Sequence, residues 1–480
     1  MGGFRAVEDR PTPKEVYNWR LYLEAAVISF GSLLFGYDSA FIGTTIARDS
    51  FKRDFNITDD VANSISSNIT SAFQAGAFFG AIFCFLITER VGRKWALEVS
   101  SVIFVVGAVL MTAATSQLSY IYAGRVLTGL GCGIITATVP SYIAELSVPS
   151  IRGILTGLFE IVYQVGSVLG FWINYGITKN MDSSSAASWR IPMAVQLIPA
   201  GLLLGGGLFI HESPLWLMRN DKEEQVFKNL QYLRQLAPEH QYIQEEVQMM
   251  RDRLAEEAAV SGRYGSGRWA FFRGAMSELS RKGMRNRVFL IFCGFALQNF
   301  GGAGAINYYS PTLFGSLGIT DVTLYTDIIK AGKELSTSTA AGGQAATALI
   351  MIYSVFWSFG LNGIPWIVSA EIFPGALRTI TGTWTACCNW LTQFIITKSL
   401  PYIFTSMGYG TWFFFGTWLL IAMVWAFFFL PETKGVSIDQ MDLLFGYEGD
   451  RQSLSFKENT NRPFADGKAK TVESEHAEEL

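Results

Sequence analysis

Charge is what this sequence has least of. Of 480 residues, 16% are Asp, Glu, Lys or Arg, against about 25% in ordinary soluble domains. Half the residues are hydrophobic and the mean hydropathy is +0.27, which argues against a string of soluble domains. The formal net charge of −3 is too small to attract a nucleic acid. The five cysteines (Cys84, Cys132, Cys293, Cys387 and Cys388) all fall in apolar runs without CxxC spacing. They are expected to be membrane-packing residues, not a disulfide frame or a metal site. No metal-ligand spacing, nucleophile–base set or phosphate-binding loop occurs, so neither an enzyme nor a cofactor is expected. Pro11, Pro13 and five charges before residue 15 argue against a cleavable leader.

Long apolar runs, by contrast, are abundant. A spanning helix needs about 20 apolar residues at about 1.5 Å each. Ten such windows lie near 21–46, 64–88, 96–116, 118–145, 153–178, 190–211, 287–315, 344–371, 380–405 and 409–431. The expected fold is an all-α, multi-pass membrane protein. Arg90, Arg93, Lys94, Arg152, Arg378 and the basic 212–286 segment fall on one side. Positive loops stay in the cytoplasm, so both termini are expected there. The chain then divides into a cytoplasmic tail (1–20), an N-terminal bundle of six spans (21–211) and a cytoplasmic helical insert (212–286). A C-terminal bundle of four spans (287–431) and a second cytoplasmic tail (432–480) follow. Val226, Leu230, Leu233 and Leu236 suit amphipathic helices in the insert, and Gly262, Gly265 and Gly267 break that pattern. Beyond residue 447 the polar tail is expected to be disordered. Asn56-Ile57-Thr58 falls in an external loop as a glycosylation sequon.

The polar residues inside these runs are the functional candidates, because a charge in hydrocarbon is costly and usually kept for function. Asp38 lies about eight residues before the outer end of the first span, and Arg125 about seven after the outer start of the fourth. Both come out roughly 10–12 Å below the outer surface. Opposite charges at one depth are expected to pair. The pair is either a proton switch, with Asp38 as the proton carrier, or a fixed tie between helices. Glu160, with Gln164 one turn on, is a second buried acid; it binds substrate hydroxyls, carries a proton or packs against a hidden partner. Gln298, Asn299 and Asn307 in the seventh span, Trp366 in the next and Asn389-Trp390 in the one after suit a polyol. Amides offer donors and acceptors, and an indole face stacks on a ring. Lys398 either attracts an anionic substrate or snorkels to the surface, and snorkelling is the expectation.

These residues fall into a known pattern. Glu89-Arg90-Val91-Gly92-Arg93-Lys94, Gly124-Arg125 and Pro140-x-Tyr142-x-x-Glu145 with Arg152-Gly153 resemble the sugar porter branch of the major facilitator superfamily. So do Glu212-Ser213-Pro214-x-Trp216-Leu217, Glu371-Ile372-Phe373-Pro374 with Arg378, and Pro431-Glu432-Thr433-Lys434-Gly435. Within that branch the chain is most similar to the fungal quinate permeases. That likeness rests on the run 8–20, Gly36-Tyr37-Asp38-Ser39-Ala40-Phe41 and Phe171-Trp172-Ile173-Asn174-Tyr175-Gly176.

The resemblance implies alternating access about a central site. It implies that Asp38 and Arg125 stand at the proton-coupling pair and that Gln298, Asn299, Trp366 and Asn389 contact sugar. Glu89, Arg90, Arg93, Glu145, Arg152, Glu371 and Arg378 would form the cytoplasmic gate. A small polyol, hydroxy acid or sugar, protons and the bilayer are the implied partners. The leading expectation is a plasma-membrane proton symporter for quinate or a related polyol. A hexose or galacturonate porter is the alternative within the class, and a non-transporting sensor or truncated remnant the alternative outside it.

The departures from the family pattern are specific. Glu160 stands where many hexose porters have Gln. Gly302-Ala303-Gly304 stands where Gly-Ile-Asn is usual, and His211 and Leu215 replace Pro and Arg. The family has twelve spans, so its eighth and ninth are expected to be missing. The polar stretch 320–343 runs straight into the span that bears Trp366. Either a sequence error removed on the order of 60 residues, two spans and a loop, or this is a degenerate copy.

Overall fold

The computed structural model describes residues 12–316, apart from 183 and 263–269, and most of 349–431. Helices dominate, and no strand occurs among the described residues. In the first part of the chain these are α1 (Trp19–Ile46), a short α2 (Asp49–Asp54), α3 (Asp59–Val91), α4 (Arg93–Thr112), α5 (Leu118–Leu146), α6 (Pro149–Asn180), α7 (Ala187–Val195) and α8 (Leu197–Gly207). The insert contributes α9 (Pro214–Arg219), α10 (Glu223–Arg234), α11 (Gln241–Gly262) and α12 (Ala270–Ser280). The last part holds α13 (Met284–Phe300), α14 (Ala303–Ser316), α15 (Ile364–Glu371), α16 (Arg378–Met407) and α17 (Gly410–Phe429).

Among the described residues, seven stretches are long and apolar enough to cross a membrane, or eight if α13 and the start of α14 are one bent span. At 30 residues α16 is also long enough, but Thr381, Thr385, Asn389, Thr392, Gln393 and Lys398 make it more polar. The expected 344–371 span is described only in pieces that end in α15. The stretch 320–343, Gly265, Gly267 and the tail beyond 447 lie outside the described residues.

The expected single span over 287–315 is instead broken, with a bend of 47°. The cause is local: Gly301-Gly302 interrupts the helix, and Gly302 has φ +100°, which a residue with a Cβ rarely adopts. The expected 190–211 span ends four residues early, at Gly207.

Small residues set how closely the helices pack. On α3, a Cβ at Gly76 would lie 2.3 Å from the Val126 carbonyl oxygen; on α5, one at Gly133 would lie 2.1 Å from that of Ala77. The two backbones therefore touch, as lipid-embedded helices do where small residues meet. Where α1 crosses α14, a Cβ at Gly43 would lie 2.3 Å from the Tyr308 carbonyl oxygen.

The insert is built as its pattern implies. Val226 and Leu230 are buried against Trp216, Ile243 and Val247, and Leu233 packs under α1 and α5. Asn18 fastens it to the bundle: its side-chain oxygen caps α1 by accepting from the N–H of Arg20 at 3.0 Å, and its Nδ2 donates to the Leu233 carbonyl at 2.7 Å. Buried Arg234 pairs with Glu246 at 2.7 and 3.1 Å.

Candidate functional site

Within the membrane-spanning part, α1 and α5 bring Asp38 and Arg125 together, both fully buried. Arg125 Nη1 donates to Asp38 Oδ1 at 2.8 Å and Oδ2 at 2.9 Å, and its Nε donates to the Ile69 carbonyl at 3.3 Å. The Phe73 ring lies 4.4 Å below the guanidinium, and Nη2 has no hydrogen-bond partner. Two buried charges need such satisfaction, since an unpaired one would be far costlier than the pair.

Beside this pair a band of polar side chains runs from the first part of the chain to the last. Glu160 Oε1, on α6, accepts from Gln164 Nε2 at 3.0 Å and from Asn362 Nδ2 at 2.7 Å. Asn362 in turn accepts at its carbonyl from Gln298 Nε2 at 2.7 Å. Next to Gln298 on α13, Asn299 Nδ2 donates to Asn389 Oδ1 at 3.3 Å and to Thr392 Oγ1 at 2.9 Å. Gln393 Nε2 donates to the Tyr308 hydroxyl at 3.3 Å. The buried oxygens of Gln298 and Gln393 have no partner, so capacity to accept hydrogen bonds remains in the band.

Gln164 thus meets Glu160 directly and Gln298 through Asn362, while Asn299 and Asn389 meet each other. Trp366 does not join them. Its ring packs edge-on to Phe295, 5.0 Å between centroids, in an apolar cluster with Val368 and Ile372. Lys398 does not snorkel: its Nζ donates to Asn68 Oδ1 on α3. Asn362 and Tyr308 were not singled out as site residues from the sequence. A search for polar side chains inside apolar spans finds helix residues such as Gln298 and Asn389, whereas Asn362 sits in a turn.

A charge network occupies the end of the bundle that carries the insert. Arg93 pairs with Glu145 at 3.1 Å and with Glu89 at 3.6 Å, and Ser213 Oγ donates to Glu145 Oε2. Arg219 joins Glu89 at 2.7 Å and Glu257 at 2.6 Å. Glu212 sits on the start of α4, accepting from the N–H of Arg93 at 2.8 Å and of Lys94 at 3.2 Å. Gly92, with φ +100°, makes room: a Cβ there would lie 2.2 Å from Glu212 Oε2. Burial lifts the Glu212 pKa above the ordinary range even though these N–H donors oppose it. Arg152 lines a cavity of about 400 Å³ beside Arg93, Glu145 and Glu246. Arg90 is exposed and lies outside this network. The side chains of Glu371 and Arg378 lie outside the described residues.

The opposite end is closed by hydrogen bonds between α3, α14 and α16. The Tyr309 hydroxyl is 3.0 Å from Thr70 Oγ1 and donates to the Thr397 carbonyl at 3.2 Å, and Ser67 Oγ donates to the Lys398 carbonyl at 2.8 Å.

A helical bundle with a buried ion pair, a broken span and a polar band across its middle suits a membrane transporter. Two solved structures are similar to it. The proton:xylose symporter XylE bound to 6-bromo-6-deoxy-D-glucose aligns with a TM-score of 0.71 at 22% identity, over 88% of this chain and 99% of that one. The partially occluded inward-open xylose transporter XylE from E. coli aligns at 0.67 and 24%, over 88% and 100%. The chain belongs to the sugar (and other) transporter family, whose model matches residues 25–340 and 328–445. A probable quinate permease of Aspergillus clavatus is 41% identical over 92% of this chain and 90% of its own. The quinate permease of Emericella nidulans is 39% identical over 92% and 91%. The chain is accordingly an integral multi-pass transporter and not an enzyme.

Proposed function

We propose that this protein takes up quinate, or a closely related polyol or hydroxy acid, together with protons, by alternating access. The observation that carries the reading is the Asp38–Arg125 ion pair, buried on every side and adjoining a polar band that joins the two parts of the bundle. Protonating Asp38 would neutralise the acid and release Arg125, because a guanidinium never gives up its own proton. Release of a tie between α1 and α5 would let the bundle rock. A proton entering down the membrane potential supplies about 2.3 kcal/mol per 100 mV.

In this reading Glu160, Gln164, Gln298, Asn299 and Asn389 contact the substrate, with Trp366 forming an apolar wall through Phe295. Glu89, Arg93, Glu145, Arg152, Glu371 and Arg378 form the gate, and the exposed Arg90 stands outside it. The insert end faces the cytoplasm with both termini, and the membrane is the plasma membrane. The bundle is divided at 212–286 into a six-span half (21–211) and a half of four spans (287–431), which makes ten spans without the family's eighth and ninth. The quinate permeases among its relatives support the substrate.

Uptake of labelled quinate and glucose at acidic and neutral pH tests this. Quinate is expected to accumulate against its gradient, and more so in acid. Asp38→Asn is expected to abolish accumulation while leaving exchange of labelled for unlabelled quinate. Concentrative uptake by that variant at the wild-type level would remove Asp38 from coupling.

A further inference from the structure

Asn362 sits where the chain turns before α15. Residues 360–363 form a turn, and the Asn362 N–H reaches back to the Trp357 carbonyl at 3.1 Å. Pro365 then opens the next helix. Its own carbonyl and side chain are therefore free of the helical ladder, and both are used. The side chain donates to Glu160 Oε1 at 2.7 Å, and the carbonyl accepts from Gln298 Nε2 at 2.7 Å.

What these two bonds leave over decides the chemistry. Gln164 donates to the same Glu160 oxygen, so both amide donors fall on Oε1. Gln298 has one of its two N–H donors engaged, while its Oε1 is buried without a partner. Asn299 likewise has its Nδ2 engaged by Asn389 and Thr392. The oxygens left to meet a ligand here are Glu160 Oε2 and Gln298 Oε1, beside the second N–H of the Gln298 and Asn362 amides. Acceptors bind hydroxyl donors and repel a carboxylate, and a buried acceptor without a donor is unfavourable.

We propose that Asn362 is a specificity-determining positioning residue. By engaging Glu160 with its side chain and Gln298 with its carbonyl, it leaves Glu160 Oε2 and Gln298 Oε1 as the acceptors that select the hydroxyl face of a polyol. The assignment rests on the transport reading above, since it presumes that a hydroxylated substrate enters this band. Asn362 also bridges the two parts of the bundle, so this pair of acceptors is complete only when they meet.

The test is a double-mutant cycle on uptake kinetics, with wild type first offered labelled quinate, xylose and galacturonate to choose the substrate. Asn362→Leu is expected to raise KM about tenfold with a smaller change in Vmax, as for loss of a hydrogen bond to a charged group. Because Asn362 acts through Glu160, adding Asn362→Leu to Glu160→Gln is expected to cost less than about twofold more. Asn362→Asp places two carboxyls in contact, which then share a proton. Its uptake relative to wild type is expected to fall at neutral pH and recover in acid, which a variant that merely failed to fold would not do. An unchanged KM in Asn362→Leu, losses that multiply in the cycle, or an Asn362→Asp ratio flat with pH would overturn the assignment. A wild type that moves xylose or galacturonate but not quinate removes the quinate reading alone, and the cycle runs on the sugar moved. A wild type neither moving nor heat-stabilised by any of the three overturns both.

Discussion

Arg125 is held by an ion pair, a backbone carbonyl and an aromatic face, with one nitrogen left unbonded. Arg125→Ala would strand a carboxylate in the bundle. It is expected to lower stability by about 3–5 kcal/mol, read as a fall in the melting temperature of the purified protein. Asp38→Asn is expected to lose less, because an amide oxygen still accepts from the guanidinium. At the end of the bundle away from the insert, Asp54 accepts from Trp189 Nε1 at 2.9 Å and from Arg53 at 3.0 Å. The Trp189 bond, and then Arg53, hold its pKa below the ordinary carboxylate range. A depressed carboxylate adds stability above its unfolded pKa and loses it as pH falls through the folded one. Melting temperature against pH should therefore drop less steeply at the acid end in Asp54→Asn than in wild type. The Asp38–Arg125 pair was legible in the sequence because the fixed rise of a helix turns residue counts into depth. Asn362 was not, because counting from a helix end says nothing about a turn.

At the scale of elements, glycine spacing determines which helices touch. Gly76→Leu would drive a side chain into the backbone of α5, whereas at Gly157 an added Cβ meets nothing within 4 Å. Gly76→Leu is expected to abolish recovery of monodisperse protein, and Gly157→Leu to leave it unchanged, on size-exclusion chromatography. Hydropathy located most spans to within a few residues, since length and apolar content are what a bilayer demands. It did not show the break at Gly301-Gly302, because a glycine pair in an apolar window reads equally well as packing. That break turns α14 so that Tyr309 reaches α3 and α16. Lys398 was misread for a related reason: snorkelling is the default only when no partner lies across the interface, and Asn68 does.

For the whole molecule, one end is sealed by side-chain hydrogen bonds while the insert end holds a cavity among charged groups. Tyr309→Phe removes the hydroxyl that ties α14 to Thr70 and to Thr397. It is expected to loosen the sealed end, so that a cysteine introduced at Ser66, half-buried on α3 in the recess under Tyr309, reacts several-fold faster with a membrane-impermeant maleimide. The five native cysteines, four of them buried, leave a low background. An unaltered labelling rate would mean that the apolar packing of Tyr308 and Phe404 suffices there. The insert is fastened to α1, α3 and α4 through Asn18, Glu89 and Glu212, each by hydrogen bonds already described. It therefore behaves as a lever arm welded to the first six spans. A dye on the exposed side of α10 would swing with them, turning a tilt of a few degrees inside the bilayer into a displacement that can be followed in water.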